Sequence, residues 1–190
     1  MSKSPQGAPS VNLLAVDTAT EGCSAACLTG DKSFERYAVD PQGHSRTLLG
    51  MVEAVLAEAR LERSALDALA YDAGPGSFTG IRIGAGVAQG LALGLEKPLL
   101  AVSSLMTLAE GARREQPGCN SVLAAIDARM DQVYWARLRS DPEAPGHWRW
   151  DEMPCVSEPR EVAVHISGCT GVGSGWDRYS DVFMGDRPMP

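Results

Sequence analysis

Apolar residues first cluster in a short run, Val11–Val16, that ends on Asp17-Thr18-Ala19-Thr20. Two more runs follow, Cys23–Leu28 and Phe34–Val39, separated by the turn signal Thr29-Gly30-Asp31-Lys32. The opening therefore predicts three strands in an antiparallel meander. From His44 to Arg60 the period changes, and Leu48, Val52, Val55, Leu56 and Ala59 recur at helical spacing. Leu49 and Met51 widen that stripe to roughly 160°, more than the ~100° that a single core contact requires. A strand at Leu66–Tyr71 then runs into Gly74-Pro75-Gly76-Ser77, and Ile81–Leu95 reads as a helix with no charge beyond Arg82. Pro98 stops it, Leu99–Val102 is a strand, and Ser103 and Ser104 cap a helix from Leu105 to about Arg114.

This βββαβα order defines an α/β unit, with a boundary expected near residues 115–120. The pattern then starts again. Val122–Ile126 is a strand ending at Asp127, Gln132–Leu138 a second, and Trp148-Arg149-Trp150 alternates like a third beyond the turn Asp141–Gly146. Pro159–Val164 fits a short helix, and Val164-His165-Ile166 leads to the glycine-rich tract 170–175. The two halves echo each other in one detail: a strand ends at Asp17, and another at Asp127.

Composition narrows the classes of function. The 190 residues carry 24 acidic and 17 basic side chains, a formal net charge of −7. That argues against a domain whose whole surface grips nucleic acid. The polar stretch 1–10 reads as a loose tail without the apolar segment of a signal peptide. No uncharged run exceeds 15 residues, against the ~20 of a membrane span. The five cysteines contain no CxxC pair, which points to reduced thiols and a cytoplasmic location. The histidines, His44, His147 and His165, form no metal-binding pair.

Candidate chemistry gathers at the turns. Gly74, Gly76, Ser77 and Thr79 belong to a glycine-rich turn opening a helix, where backbone N–H groups can meet an anion. The lysine of a GxxxxGK[ST] loop is absent, so a capped strand-to-helix turn is the competing reading. Arg82 in the first helical turn opposes the macrodipole, which suggests that it answers a carboxylate or an anion. Asp17, with Thr18, and Asp127 stand at strand ends, where a carboxylate either holds a metal–phosphate or closes a turn. His44 fits a helix cap better than a base. Gly171, Gly173 and Gly175 either pass close to a nucleotide or form a turn. Gly80, Gly84, Gly86, Gly90 and Gly94 fall within roughly 160° of one helix face. At about 1 kcal/mol each against alanine, they cost on the order of 5 kcal/mol. Close backbone approach compensates such a cost, either inside the chain's own core or against another chain.

The strings LLAVDTAT, GHS, GPGSFTGIRIG, AQGLALGL, VSSL and AAIDARMDQVYWA, spread from Val11 to Val182, resemble the TsaB (YeaZ) family. That family is the partner subunit in bacterial synthesis of N6-threonylcarbamoyladenosine on tRNA. The resemblance implies an actin-like fold, of the sugar kinase, Hsp70 and actin superfamily, with two related βββαβα subdomains. These are expected over 11–114 and 115–190, the second short and incomplete, since relatives continue past position 190. It implies a non-catalytic scaffold without cofactor or metal, which binds TsaD, the threonylcarbamoyl-transferring subunit. TsaE joins the pair, tRNA is met only through the complex, a homodimer forms when the chain is alone, and no membrane is involved. The implied partner surface is the first two long helices, with Leu48, Leu49, Val52, Val55, Leu56 and the five helical glycines. Asp17, Thr18, Gly74, Gly76, Ser77, Thr79 and Asp127 become remnants of phosphate turns. One departure stands out: Asp72-Ala73 occupies the place where the family has a basic residue before GPGSFTG. The competing readings are an ATP-dependent phosphotransferase using Asp17 and Asp127, and a metallopeptidase, which the lone His44 disfavours.

Overall fold

A computed structural model of the chain describes residues 11–40, 43–141, 143–162 and 166–185. The expected tail at 1–10 and His165 lie outside them. Two compact units divide the chain: residues up to Ala73 with Ser77–Val102, and Gly74–Gly76 with Ser103 onward.

In the first unit β1 (Asn12–Asp17), β2 (Gly22–Thr29) and β3 (Lys32–Val39) form the expected meander. Helix α1 (His44–Ala59) leads to β4 (Ala68–Asp72), and α2 (Phe78–Leu95) to β5 (Leu99–Val102). The sheet order is β3-β2-β1-β4-β5, with β1, β4 and β5 mutually parallel. Parallel neighbours need a crossover, and α1 and α2 supply it. Register aligns Leu14 with Cys27 on one side and Leu69 on the other. That row is buried under α1 and α2 together with Leu48, Val52, Val55, Leu56, Ala88 and Ala92.

The second unit repeats the plan. Helix α3 (Ser104–Glu115) precedes β6 (Ser121–Arg129), β7 (Gln132–Asp141) and β8 (Ala144–Ser157). A short α4 (Pro159–Val162), β9 (Thr170–Val172) and α5 (Ser174–Met184) complete it, with sheet order β8-β7-β6-β9. Alternate side chains of β6 serve two cores. Leu123 and Ala125 meet α5, whereas Val122, Ala124 and Ile126 meet α3. β6 pairs antiparallel with β7 and parallel with β9, as β1 pairs with β2 and β4. The fold is thus mixed α/β and actin-like, built on two related units.

Three details differ from the pattern in the sequence. Helix α3 packs on β6, so the division falls at Val102/Ser103 rather than at 115–120. β8 begins at Ala144, inside the stretch expected as a turn, and its edge position tolerates Pro154. Helix α5 has no counterpart in the sequence-based expectation.

Candidate functional site: two carboxylate turns and an open helix face

The turns that end β1 and β6 are built alike. Asp17 Oδ1 accepts from the Ala19 N–H at 2.7 Å, and Asp127 Oδ1 from the Arg129 N–H at 3.0 Å. Each is an Asx turn, in which a carboxylate satisfies the backbone donor two residues on. Burial pushes the Asp17 carboxyl up, opposed by the Ala19 N–H and by nearby His44. His44 is itself buried, with Nε2 3.3 Å from the Glu21 carbonyl. Asp127 also takes Arg178 on Oδ2 at 2.9 Å, and its N–H donates to Ser174 Oγ at 3.1 Å. Two further donors at the first turn have partners too. The Gly22 N–H donates to Thr20 Oγ1 at 3.3 Å. Buried Thr18 donates through Oγ1 to the Gly80 carbonyl at 2.7 Å.

The start of α2 lies directly on this turn. The Ser77 N–H donates to the Ala19 carbonyl at 2.6 Å, and Ser77 Oγ caps the helix by accepting from the Gly80 N–H at 3.3 Å. A Cβ at Gly80 would fall 1.9 Å from the Thr18 carbonyl oxygen, and one at Gly84 2.6 Å from Thr18 Oγ1. These two glycines are therefore required by close packing inside the unit, a correction to their expected place on a partner surface. Leu48, Val52, Val55 and Leu56 are corrected likewise. They are at most 4% exposed because they form the core beneath α1. Gly74 adopts φ +94°, a conformation suited to glycine, and its carbonyl accepts from the Ser104 N–H. Gly76 is half-buried and Thr79 exposed. Among the described residues Arg82 pairs with no carboxylate; its guanidinium lies 3.4 Å from the centroid of the Phe78 ring.

The glycine tract near 171–175 is also filled by the protein itself. A Cβ at Gly171 would meet the Trp176 ring at 2.3 Å, and one at Gly173 the Ala125 carbonyl oxygen at 2.4 Å. Among the described residues, no group of three or more His, Cys, Asp or Glu side chains is placed to hold a metal.

The other face of α2 is open. Among the described residues, a Cβ at Gly86, Gly90 or Gly94 would meet nothing within 4 Å. Phe78 is 71% exposed and Leu93 82%, and Leu49 on neighbouring α1 is 48% exposed. Phe78, Arg82, Gly86, Gly90, Leu93 and Gly94 span about half the circumference at about 100° per residue. Only Gly80, Gly84, Ala88 and Ala92 of the 18 residues are buried. Helix α2 is long and apolar enough, by length and composition, to cross a membrane, yet one side of it is seated on its own sheet.

The sequence pattern missed Phe78 and Leu93 as exposed members of this face and missed the Thr18 seat. It had the glycine spacing but no means of dividing the five glycines into two sets. Helix α5 did carry a signal, since Trp176, Tyr179 and Phe183 recur at helical spacing and all are buried.

Fold and turns together define an actin-like two-unit α/β protein whose carboxylate turns are closed by its own backbone and side chains. Residues 39–144 match the family model of TsaD, tRNA N6-adenosine threonylcarbamoyltransferase. The chain is similar to the tRNA threonylcarbamoyladenosine biosynthesis protein TsaB of Escherichia coli K12, with 43% identity over 90% of this chain and 75% of that protein. It is similar to the Haemophilus influenzae TsaB at 38% identity over the same shares. Its structure resembles YeaZ from Pseudomonas aeruginosa at a TM-score of 0.83 and 44% identity, covering 95% of this chain and 81% of the other. The chain belongs to the TsaB family of tRNA threonylcarbamoyladenosine biosynthesis proteins.

Proposed function

We propose that this chain is a non-catalytic scaffold of tRNA threonylcarbamoyladenosine synthesis, which docks TsaD through the open face of α2 and the adjoining part of α1. TsaE joins through that pair, and tRNA is engaged by the assembled complex. The observation that carries the reading is the unfilled α2 face. Three glycines at which an added Cβ would meet nothing within 4 Å among the described residues sit in this helix, next to exposed Phe78 and Leu93. Glycine inside a helix costs about 1 kcal/mol against alanine, and at these three no close neighbour among the described residues compensates it. A second helix laid against them gains a close backbone approach that alanine or leucine would forbid. The same face also suits a second copy of this chain, so a homodimer is the resting form when TsaD is absent.

The rival reading, an ATP-dependent phosphotransferase, needs Asp17 and Asp127 available to a metal–nucleotide. Both carboxylates already serve their own turns, and Asp127 is also paired with Arg178. Co-purification with TsaD and TsaE, followed by a modification assay on tRNA, tests the proposal. A stable complex that modifies tRNA only when this chain is present supports it. Nucleotide hydrolysis by the isolated chain, or modification without it, overturns it.

A further inference from the structure

The open face of α2 is supported from the opposite side of the same helix: Ala88 and Ala92 rest on the core further along, and the first turns are seated on Thr18. Thr18 Oγ1 is buried, donates to the Gly80 carbonyl at 2.7 Å, and stands where a Cβ on Gly84 would come within 2.6 Å. The helix can approach this closely because a hydroxyl oxygen tolerates a hydrogen-bonding distance that a methyl carbon does not. Carbon contacts are best at about 3.5–4.0 Å. The Ser77 N–H on the Ala19 carbonyl holds the helix start to the same turn. The height of the first turns of α2 above the sheet is therefore set at Thr18.

We propose that Thr18 is a positioning residue of the docking face: its hydroxyl fixes how far the first turns of α2 stand out, and hence where Phe78 and Gly86 meet TsaD. This rests on the docking reading above. Close packing between backbones is sensitive to displacements well under the size of a methyl group, because interiors are packed to crystal-like density. Thr18→Val keeps the shape of the side chain but replaces the short O–H···O contact with a carbon, lifting the helix by on the order of 0.5–1 Å. Thr18→Ser keeps the hydroxyl and should keep the position.

The test is titration calorimetry of TsaD into the 190-residue chain, with thermal unfolding of each variant alongside. Thr18→Val should bind TsaD more weakly by roughly tenfold, about 1.4 kcal/mol. Thr18→Ser should bind like the wild type. Val133→Ala, a core change in the second unit, supplies a control that lowers Tm without touching α2. It should leave the affinity unchanged. Gly84→Ala presses on the same contact from the helix side and should weaken binding too. It takes over the test if Thr18→Val fails to fold. Wild-type affinity in Thr18→Val, or in Gly84→Ala where that variant stands in, overturns the inference while leaving the docking reading intact. So does a loss in Val133→Ala matching that in Thr18→Val at equal Tm. Failure of the wild-type chain to bind TsaD defeats the docking reading itself and takes the inference with it.

Discussion

Helices α2 and α5 hold the same place in the two units, each following a parallel partner of the unit's first strand. Both begin with glycines pressed against the end of that strand, Gly80 and Gly84 on Thr18, and Gly173 and Gly175 on Ala125. Beyond the first turns they part. Helix α5 turns Trp176, Tyr179, Phe183 and Met184 inward, and Trp176 Nε1 donates to the Leu123 carbonyl at 3.0 Å. Most of its apolar surface is consumed within its own unit, with Val182 left 40% exposed. Helix α2 fully buries only small residues, packs Val87, Leu91 and Leu95 partly against its core, and leaves Phe78, Leu93 and three glycines outside. The shared topology dictates where each helix starts. It leaves free how much apolar bulk stands on the outer side, and that choice separates a helix largely consumed by its own core from one that also offers a surface.

The largest expected break in this contrast is at Phe183. It is 1% exposed and edge-on to Trp176, with ring centroids 5.0 Å apart. Phe183→Ala should destabilise the second unit by about 3–5 kcal/mol in chemical denaturation.

A second difference concerns how each unit responds to acid. Glu110 on α3 accepts from Arg113, Arg114 and Trp148 Nε1, tying the helix to β8. The Arg113 hydrogen bonds above all, with those of Arg114 and Trp148, hold its carboxyl at about 2 against the usual 4.5, despite some opposing burial. A lowered carboxyl pKa means that the folded state favours the ionised form. The stabilisation is complete above pH 4.5 and is lost as the pH falls through about 2. Thermal melts of wild type and Glu110→Gln should differ at neutral pH and converge near pH 2.

On the open side, Gly90→Ala should raise stability by about 1 kcal/mol, since the helix gains propensity and the new methyl meets nothing. The same exchange at Gly175, where a Cβ would lie 2.9 Å from the Ala125 Cβ, should lower it. Denaturation midpoints of the two variants, moving in opposite directions, check both. Leu93→Ala is the smallest change in the set. With 82% of Leu93 exposed, stability should stay within about 0.5 kcal/mol, while affinity for TsaD falls.

Much of the architecture was legible because apolar spacing is set by the period of each element. The meander, α1, α2 and β5 follow from it directly, as does the echo between Asp17 and Asp127. Helix α5 was masked by the glycines before it, which read as a loop although Trp176, Tyr179 and Phe183 carry the helical period. The candidate surface was legible only in outline. Spacing places Gly80 through Gly94 on one face but cannot tell a glycine under a strand end from one facing solvent. The broad apolar stripe on α1 suggested a partner, yet Leu48, Val52, Val55 and Leu56 are consumed by the sheet beneath them, and Leu49 alone of that set stays outside. The roles of Asp17 and Asp127 stayed open in the sequence because an Asx turn and a metal–phosphate ligand both need a carboxylate at a strand end. The short contacts to Ala19 and Arg129 are visible only in the folded chain.

Gly86→Leu and Gly90→Leu, compared for folding and for TsaD binding, separate a surface helix from a core helix most sharply. Among the described residues nothing lies within 4 Å of a Cβ at either position, so both variants should remain folded with a Tm close to that of the wild type. A leucine on this face holds a facing helix away, so titration with TsaD should show binding abolished or weakened by at least tenfold, about 1.4 kcal/mol. Variants that stay folded and still bind TsaD like the wild type would contradict the docking role of α2. Variants that collapse in Tm would show instead that this face of the helix is packed inside the chain.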